Sequence, residues 1–558
     1  SGEKAYSPED AAVLVLKHLA SHPTLQAEKE KHGGIWAVIT VPAHFDDAAR
    51  QATVQAAARA GIFVLRIVNE PTAAALAYSM LPDVRNLASE NLAVFDFGGG
   101  TFDVSIVERQ QLVFNVLASE GDIYLGGDDI DTAIAHYLLD DVKPLFTSRR
   151  TKPDSPLFKT LLKIAEDIKI ALESTGTYSV DVQKLDDSGA SLNTKVTREH
   201  LDGIAAPFVQ RTLELTERAM HAARRRANQV SRILLVGGST RLPLVRKMLQ
   251  EYFPASNVDA RLEPDLAISW GAAVQAAIIL GIEPDTILVD VCSHSLGIGV
   301  ANDPSSVNDN FKKLARKYGV LPTSEGRIEE ALGDRLEEFN RELQGMLHVA
   351  PIIHRNSPLP ARRSEFFSTL YQQQTAVHVV VVQGEGAIVS ENRLIGSFLF
   401  ELHQPCPKGS RCEIQLTYDV NGMVHVLAKQ LDTENEAEAQ FDSRTGEVIG
   451  WRRLHAEDKD PFCEKPLQPE MFGGRDISTE NQDDEINSPL VLNGLLARAR
   501  RHLASSQEQS SLSTQIEQLV STYEKLLINA KDGVDNDTEI DFVETRLMEC
   551  LEESAPHD

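Results

Sequence analysis

Apolar and polar positions follow two periods along this chain, and the change between them falls near residue 290. Ser7 to Ala20 has helical spacing, with Ser7 placed as N-cap and Pro8 in the first turn. The short apolar run Trp36 to Val41 predicts a buried strand, and an alanine-rich helix is expected from Asp46 to Ala60. Leu65 to Val68 reads as another strand, running into NEPTAAALAY, Asn69 to Tyr78. Leu92 to Phe95 and Phe102 to Val107 carry the β-branched and aromatic bias of two hairpin arms. A second glycine turn, LGGDDID (Leu125 to Asp131), precedes a stretch read as helical to about Arg226. ILLVGGSTRLPLVRKML, Ile233 to Leu249, is strand, glycine turn and helix, and Pro264 to Leu280 is again alanine-rich and helical. Alternation of this kind predicts an α/β class with mixed sheets covered by helices.

DTILVDV, Asp285 to Val291, is a short apolar segment set between acidic residues. After a charged, helix-patterned stretch from about Asn310 to Leu347, strand patterns dominate: Phe366 to Tyr371, Ala376 to Gln383, Leu394 to Leu402, Cys412 to Tyr418 and Val424 to Lys429. Turn residues between them predict a compact antiparallel unit. From about Asp432 to Asn487 the chain is polar and rich in proline, glycine and acids, and reads as a loose excursion. Ile516, Leu519, Val520, Tyr523, Leu526 and Leu527, then Ile540, Val543, Leu547 and Leu551, keep the spacing of helices in a small bundle.

At 558 residues the chain exceeds what one core supports. Its formal charge of −27, from 55 Lys+Arg against 82 Asp+Glu, argues against a nucleic-acid partner recognised by bulk charge. A small polyanion held by backbone amides and a metal stays open. Five cysteines without a CxxC pair predict a reducing compartment and no zinc site, and the expected location is cytoplasmic. Cys406 and Cys412 are read as a reduced pair. No run of 18 apolar residues offers a membrane span. The chain begins at Ser1 rather than at methionine, which leaves an N-terminal address open.

The candidate chemistry starts at VFDFGGGTFDVSIV, Val94 to Val107. Gly98, Gly99 and Gly100 can present bare amides, and Asp96 and Asp103 bracket them with carboxylates. Amides and carboxylates together point to a phosphate chain carried with a divalent cation. Taken alone, though, the segment reads as an ordinary glycine-rich hairpin. Several such turns in order carry more weight. NEPTAAALAY, DFGGGTFD, LGGDDID, VGGSTRLP, EPDLAISWGAAVQAA and DTILVDV resemble, in that order, the DnaK-type, seventy-kilodalton heat-shock chaperones. SLGIG, HRNSPLPARRSEFFST, VQGEGAIVSENRLIGSFLFEL and YDVNGMVHVLAKQ continue the likeness, which covers about Glu3 to Gln430 apart from one insertion.

The resemblance implies a multidomain chain with an N-terminally incomplete, actin-like α/β ATPase fold, an antiparallel β-sandwich peptide-binding domain and a C-terminal helical lid. The boundaries expected are residues 1–283 for the nucleotide-binding domain and 284–291 for the linker. The β-sandwich takes 292–455 with an insertion at 302–348, followed by an acidic linker at 456–487 and a lid at 488–558. The implied cofactors are ATP or ADP with Mg²⁺. Gly98, Gly99, Gly100 and Thr101 would cradle phosphates, and Asp96 and Asp103 would hold magnesium, usually through water. Glu70 matches the glutamate near the attacking water. Gly237, Gly238, Ser239, Arg241 and Asp265 match the adenosine turn, and Glu166 and Lys169 match ribose- and adenine-contacting positions. Phe367, Leu370, Val377 and Val379 would line an apolar client groove. Leu288 and Asp290 belong to the linker that couples nucleotide state to client affinity, and Arg66 matches a position where J-domain co-chaperones engage. A nucleotide exchange factor is an implied partner beside extended clients.

Four departures qualify this. The family's first strand, its glycine–threonine turn and its catalytic lysine have no match in the chain, so the resemblance implies half a nucleotide site and an ATPase that this stretch alone would not sustain. Ile170 stands where an arginine usually stacks on adenine, and Glu173 replaces a small hydroxyl residue. The insertion and Leu370 alter the arch over the groove. The C-terminus reads SAPHD rather than EEVD, which tilts the reading to a bacterial or organellar type. A holdase or exchange-factor relative without an ATP cycle is the alternative. A sugar kinase or actin-like filament protein accounts for nothing after Asp290.

Overall fold

The computed structural model describes residues 6–300 except 83, 85–88, 144–154, 187–188, 260 and 283–285. It also describes 313, 314, 317 and 342, and 344–453 except 371, 432, 434 and 443–446. The insertion at 302–348, apart from its end, the linker at 456–487 and the lid at 488–558 lie outside the described residues.

The chain opens with α1 (Pro8–Ala20), α2 (Pro23–His32), β1 (Ile35–Val41), α3 (Asp47–Arg59), β2 (Ile62–Asn69) and α4 (Glu70–Ser79). Ser7 caps α1 as expected, bonding reciprocally with Asp10. Asp46 caps α3 by accepting from the Ala49 amide. β1 and β2 pair in parallel. Next come β3 (Ser89–Phe97), β4 (Phe102–Gln110), β5 (Val113–Asp122) and α5 (Gly127–Leu139). β6 (Val142–Lys143), α6 (Pro156–Ala171), β7 (Thr177–Val182), β8 (Ser191–Thr197) and α7 (Arg198–Ala222) follow. β9 (Arg232–Val236), α8 (Pro243–Tyr252), β10 (Asn257–Asp259), α9 (Ala267–Ile279) and β11 (Ile287–Val289) complete this part.

The central sheet is mixed, in the order β10-β9-β3-β4-β5-β11. Its strands are buried over most of their length, because helices cover both faces. One face carries Phe95, Phe97, Phe102, Val104 and Ile106 against α5, α6 and α7. The other carries Val94, Val107 and Val116 against α4. The stretch expected to be helical up to Arg226 holds a small sheet as well, β6-β8-β7. Its strands are short and mostly polar, so their period was masked by the helices around them.

Two antiparallel sheets form the remainder, from β12 (Leu296–Val300), β13 (His348–Ile353), β14 (Ala361–Ser368), β15 (Gln374–Gln383), β16 (Arg393–Cys406), β17 (Arg411–Tyr418), β18 (Val424–Gln430), β19 (Glu436–Asp442) and β20 (Glu447–Arg453). Their orders are β13-β12-β15-β16 and β14-β17-β18-β19-β20. They share one core, in which Val379, Val381 and Phe400 of the first sheet meet Ile414, Val426 and Phe441 of the second. The loose excursion expected from Asp432 therefore contains two further strands, β19 and β20. The alternation of Ala437, Ala439 and Phe441 is what buries β19, despite its acidic neighbours.

Candidate functional site

The β3–β4 hairpin folds as its sequence implies, with Asp96 directly opposite Asp103 and Phe97 opposite Phe102. The turn between them spends one amide on itself, since Gly98 N–H donates to the Thr101 carbonyl at 3.0 Å. Among the described residues, the amides of Gly99, Gly100 and Thr101 make no hydrogen bond, and Gly99 and Gly100 are exposed. The turn thus leaves three amides free, where four were expected to serve as a cradle.

Neighbouring glycine turns are drawn against this one. Gly127 N–H and Ser239 Oγ both donate to the Gly98 carbonyl, at 3.0 and 2.8 Å, and Asp128 N–H donates to Gly99 O at 2.7 Å. A Cβ on Gly126 would lie 2.1 Å from the Gly99 carbonyl oxygen, and one on Gly237 would lie 2.4 Å from that of Phe97. Gly237 also has φ +81°, so both its conformation and its neighbours demand glycine. DFGGGT, LGGDD and VGGSTR, far apart in the chain, are one structure in space.

Lys169 reaches into this junction from α6. Its Nζ bonds Asp131 Oδ2 at 2.6 Å and the Gly127 carbonyl at 3.1 Å. Glu166, one turn earlier, is exposed. Arg241 pairs with Asp265 at 2.6 Å and also with Glu263. Gly238 lies beside Asp265, whose Oδ1 would be 3.7 Å from an added Cβ. Glu173 is half-buried, and burial raises its carboxyl against the opposing pull of Arg241 and Lys169.

Electrostatics single out three carboxyls. Burial, then the neighbouring Asp103 charge, pushes Glu70 up to about 7. Asp103 is pushed up to about 8, chiefly by burial. Asp96 is held well above its ordinary value by burial and by the charges of Glu70 and Asp103. Its buried Oδ2 has no hydrogen-bond partner. Buried carboxylates that repel one another and leave an oxygen unpaired are matched to a cation. Among the described residues, no three His, Cys, Asp or Glu side chains stand close enough to share one ion.

His44 bears on this group rather than on the α3 cap, which Asp46 supplies. Its Nδ1 stands 3.2 Å from Asp103 Oδ1, and burial, with the nearby Arg355 and Arg218 charges, lowers its pKa to about 4. Nothing in the local sequence signalled this contact, made across 59 residues. The same is true of Arg50, whose buried guanidinium bonds Ala43 O, Phe45 O and Asn69 Oδ1 on one side and Asn421 O on the other.

The segment expected as a linker adds strand β11 beside β5, pairing Leu288 with Phe114 in parallel. Asp290 Oδ2 then accepts from Asn69 Nδ2 at 3.0 Å and Thr72 Oγ1 at 2.9 Å, on either side of Glu70. Arg66 lies half-buried on β2, remote from the carboxylate group in role but on the strand that ends at Asn69. In the two-sheet unit, Val379 is buried in the shared core, and Phe367 and Val377 pack against that core half-buried. Leu370 is half-buried at the end of β14, its amide bonded to Gln374. Phe366, next to Phe367 on β14, is 51% exposed under the Arg411 guanidinium.

Comparison with known proteins shows the family. The family model described as Hsp70 protein matches residues 1–343 and 341–554. The chain is 31% identical over 536 residues to chaperone protein dnaK1 of Synechocystis sp., covering 94% of this chain and 69% of that protein. Chaperone protein DnaK of Thermosipho melanesiensis is 34% identical over 497 residues, covering 87% and 73%. Heat shock protein hsp-6 of Caenorhabditis elegans is 34% identical over 450 residues, covering 79% and 60%. The chain thus spans between 60% and 73% of the length of these relatives.

Proposed function

The chain belongs to the Hsp70 family, and from that membership we propose that it serves as an ATP-dependent chaperone whose nucleotide state is coupled to its grip on extended apolar polypeptide. The observation that carries this reading is the hold of Asp290 on Asn69 and Thr72, because it ties the segment after β11 to the residue before Glu70 and to the first turn of the helix that Glu70 opens.

The free amides of Gly99, Gly100 and Thr101 would bind phosphate oxygens, with Asp96 and Asp103 on the magnesium side. Magnesium, when bound, supplies charge neutralisation to the polyphosphate. Glu70 at the start of α4 orients the attacking water, and its raised pKa suits a group that also accepts that water's proton. The adenosine is assigned to Gly237, Gly238, Ser239, Arg241 and Asp265, with Glu166 and Lys169 approaching from α6. Lys169 must leave Asp131 to reach a ribose. Arg241 is already shared by two carboxylates, and Ile170, 54% exposed, offers an apolar face instead of a stacked guanidinium. Weaker nucleotide affinity than in relatives with an arginine there follows, by roughly 0.5–2 kcal/mol.

The client groove is assigned to the two-sheet unit at Phe367, Leu370, Val377 and Val379. One buried leucine of a client contributes roughly 1.5–3 kcal/mol, which gives a weak and sequence-tolerant grip. J-domain co-chaperones at Arg66 and a nucleotide exchange factor complete the proposed cycle.

The test is calorimetric titration of the full-length protein with Mg·ATP, paired with release of a fluorescent apolar peptide. Mg·ATP is expected to bind and to speed peptide release. Glu70→Ala should lower turnover by about 10²-fold or more while binding persists. A protein that releases peptide at the same rate with and without Mg·ATP does not run this cycle.

A further inference from the structure

The turn after β1, Pro42 to Phe45, lies between the carboxylate group and the two-sheet unit and bonds to both. On one side, Asp103 Oδ1 lies 3.2 Å from His44 Nδ1, and the nearby backbone of His44 and Ala43 holds the Asp103 carboxyl down against the larger effect of burial. On the other side, the carbonyls of the same two residues accept from the start of the two-sheet unit. Ser293 Oγ donates to Ala43 O at 2.5 Å, and His294 Nε2 donates to His44 O at 3.0 Å. A carbonyl only accepts, so His294 carries its proton on Nε2. The two imidazoles meet edge to face, 5.4 Å apart at 83°.

Both ends of this contact are prepared. A Cβ on Gly121 would stand 2.5 Å from Asp103 Oδ1 and 2.8 Å from His44 Nδ1, so the bare Cα of β5 is what leaves room for the pair. The His294 carbonyl accepts from Tyr418 Oη at 3.3 Å, and that hydroxyl accepts from Gln383 Nε2 at 2.8 Å. His294 is thereby anchored to β17 and β15, one strand from each sheet.

Resting on the reading of Asp103 as a magnesium-side carboxylate, we propose that His44 is a positioning residue for Asp103, and that His294 holds His44 in register when the two-sheet unit is docked. An imidazole donating to one oxygen fixes the rotation of the carboxylate. Unlike a lysine or arginine in that place, it leaves the negative charge for the cation. Removal of His294 from His44 O would loosen the turn that carries the His44 imidazole to Asp103.

Two measurements on the full-length protein test this. The first is the Mg²⁺ concentration for half-maximal ATP turnover. His44→Phe keeps the ring and removes the donor, and should raise that concentration about 10- to 100-fold. His44→Asn places an amide donor near the Nδ1 position and should recover most of the loss. His294→Leu should give a smaller rise, and the double variant no more than His44→Phe alone, because both act along one route. The second is amide hydrogen exchange across residues 42–45 in the nucleotide-free protein, which His294→Leu should speed at least several-fold. An unchanged magnesium requirement in His44→Phe overturns the proposal, as does an Asn variant no better than Phe, additivity in the double variant, or unchanged exchange. If the unmutated protein binds no Mg·ATP, the nucleotide reading itself fails, and exchange alone decides the His294–His44 link.

Discussion

Asp103 concentrates the residue-scale physics. Its ordinary pKa of 3.8 rises to about 8 in the fold, so folding favours its protonated form. The associated stability is full below about pH 3.8 and is lost as pH climbs towards 8. His44 runs the other way, since its lowered value costs stability as pH falls from 6.5 to about 4. Replacing Asp103 with Asn keeps an acceptor for the His44 imidazole and removes the ionisation. Without magnesium or nucleotide, Asp103→Asn should melt within a degree or two of the wild type near pH 4 and higher than it near pH 8. The expected gap is roughly 5 °C, read by calorimetry, and no growth of the gap with pH would contradict the burial argument. At this scale the sequence was informative about identity. DFGGGTFD marked the carboxylates and amides correctly as neighbours, because a hairpin turn is a local structure. It could not mark His44, whose contact crosses from another strand.

Among the elements, α4 and α9 show how composition becomes geometry. α9 was legible as an alanine-rich helix, whereas NEPTAAALAY was read only as the segment that follows a strand, and it folds as α4. Their approach is so close that a Cβ on Gly271 would fall 1.7 Å from the Ala73 carbonyl oxygen. Ala73, Ala74 and Ala75 are fully buried at the same contact. Gly271→Ala should therefore destabilise by about 1–3 kcal/mol despite its better helix propensity, because the backbones must part. Gly203 on α7, with open space around it, is the control, where alanine should be neutral or stabilising by up to about 1 kcal/mol. Chemical denaturation of both variants checks the pair. The small sheet β6-β8-β7 and the strands β19 and β20 were the elements least visible in the pattern. Short, polar, edge-rich strands lack the run of apolar alternation that makes longer ones readable.

For the whole molecule, the decisive feature is how the two-sheet unit sits on the α/β part. Arg50 bonds Asn421 O, Asp47 accepts from the Val424 amide, and Asn421 Oδ1 accepts from Ile67 N–H. Glu120 is shared by Arg218 and Arg355 across the same interface. Arg50→Ala removes a buried guanidinium and strands the carbonyls of Phe45 and Asn421, while Ala43 O keeps its bond from Ser293. It should weaken the contact between the two-sheet unit and the α/β part, lowering the occupancy of that contact by at least about tenfold. Proteolysis at 286–291 measures this, since β11 is protected only while paired with β5. Equal cleavage of variant and wild type would remove Arg50 from the interface energetics.

The alternation of strands and helices before residue 290, the glycine turns and the Hsp70 kinship were settled by sequence alone, because each rests on residues close together in the chain. Periodicity reports which face of an element is apolar, and a turn motif reports its own backbone. Which faces meet was decided only in three dimensions. His44 lies 250 residues from His294 and Arg50 lies 371 from Asn421. Contacts over such separations leave no period to read, and only the packed chain, with its buried groups forced to find partners, determines them.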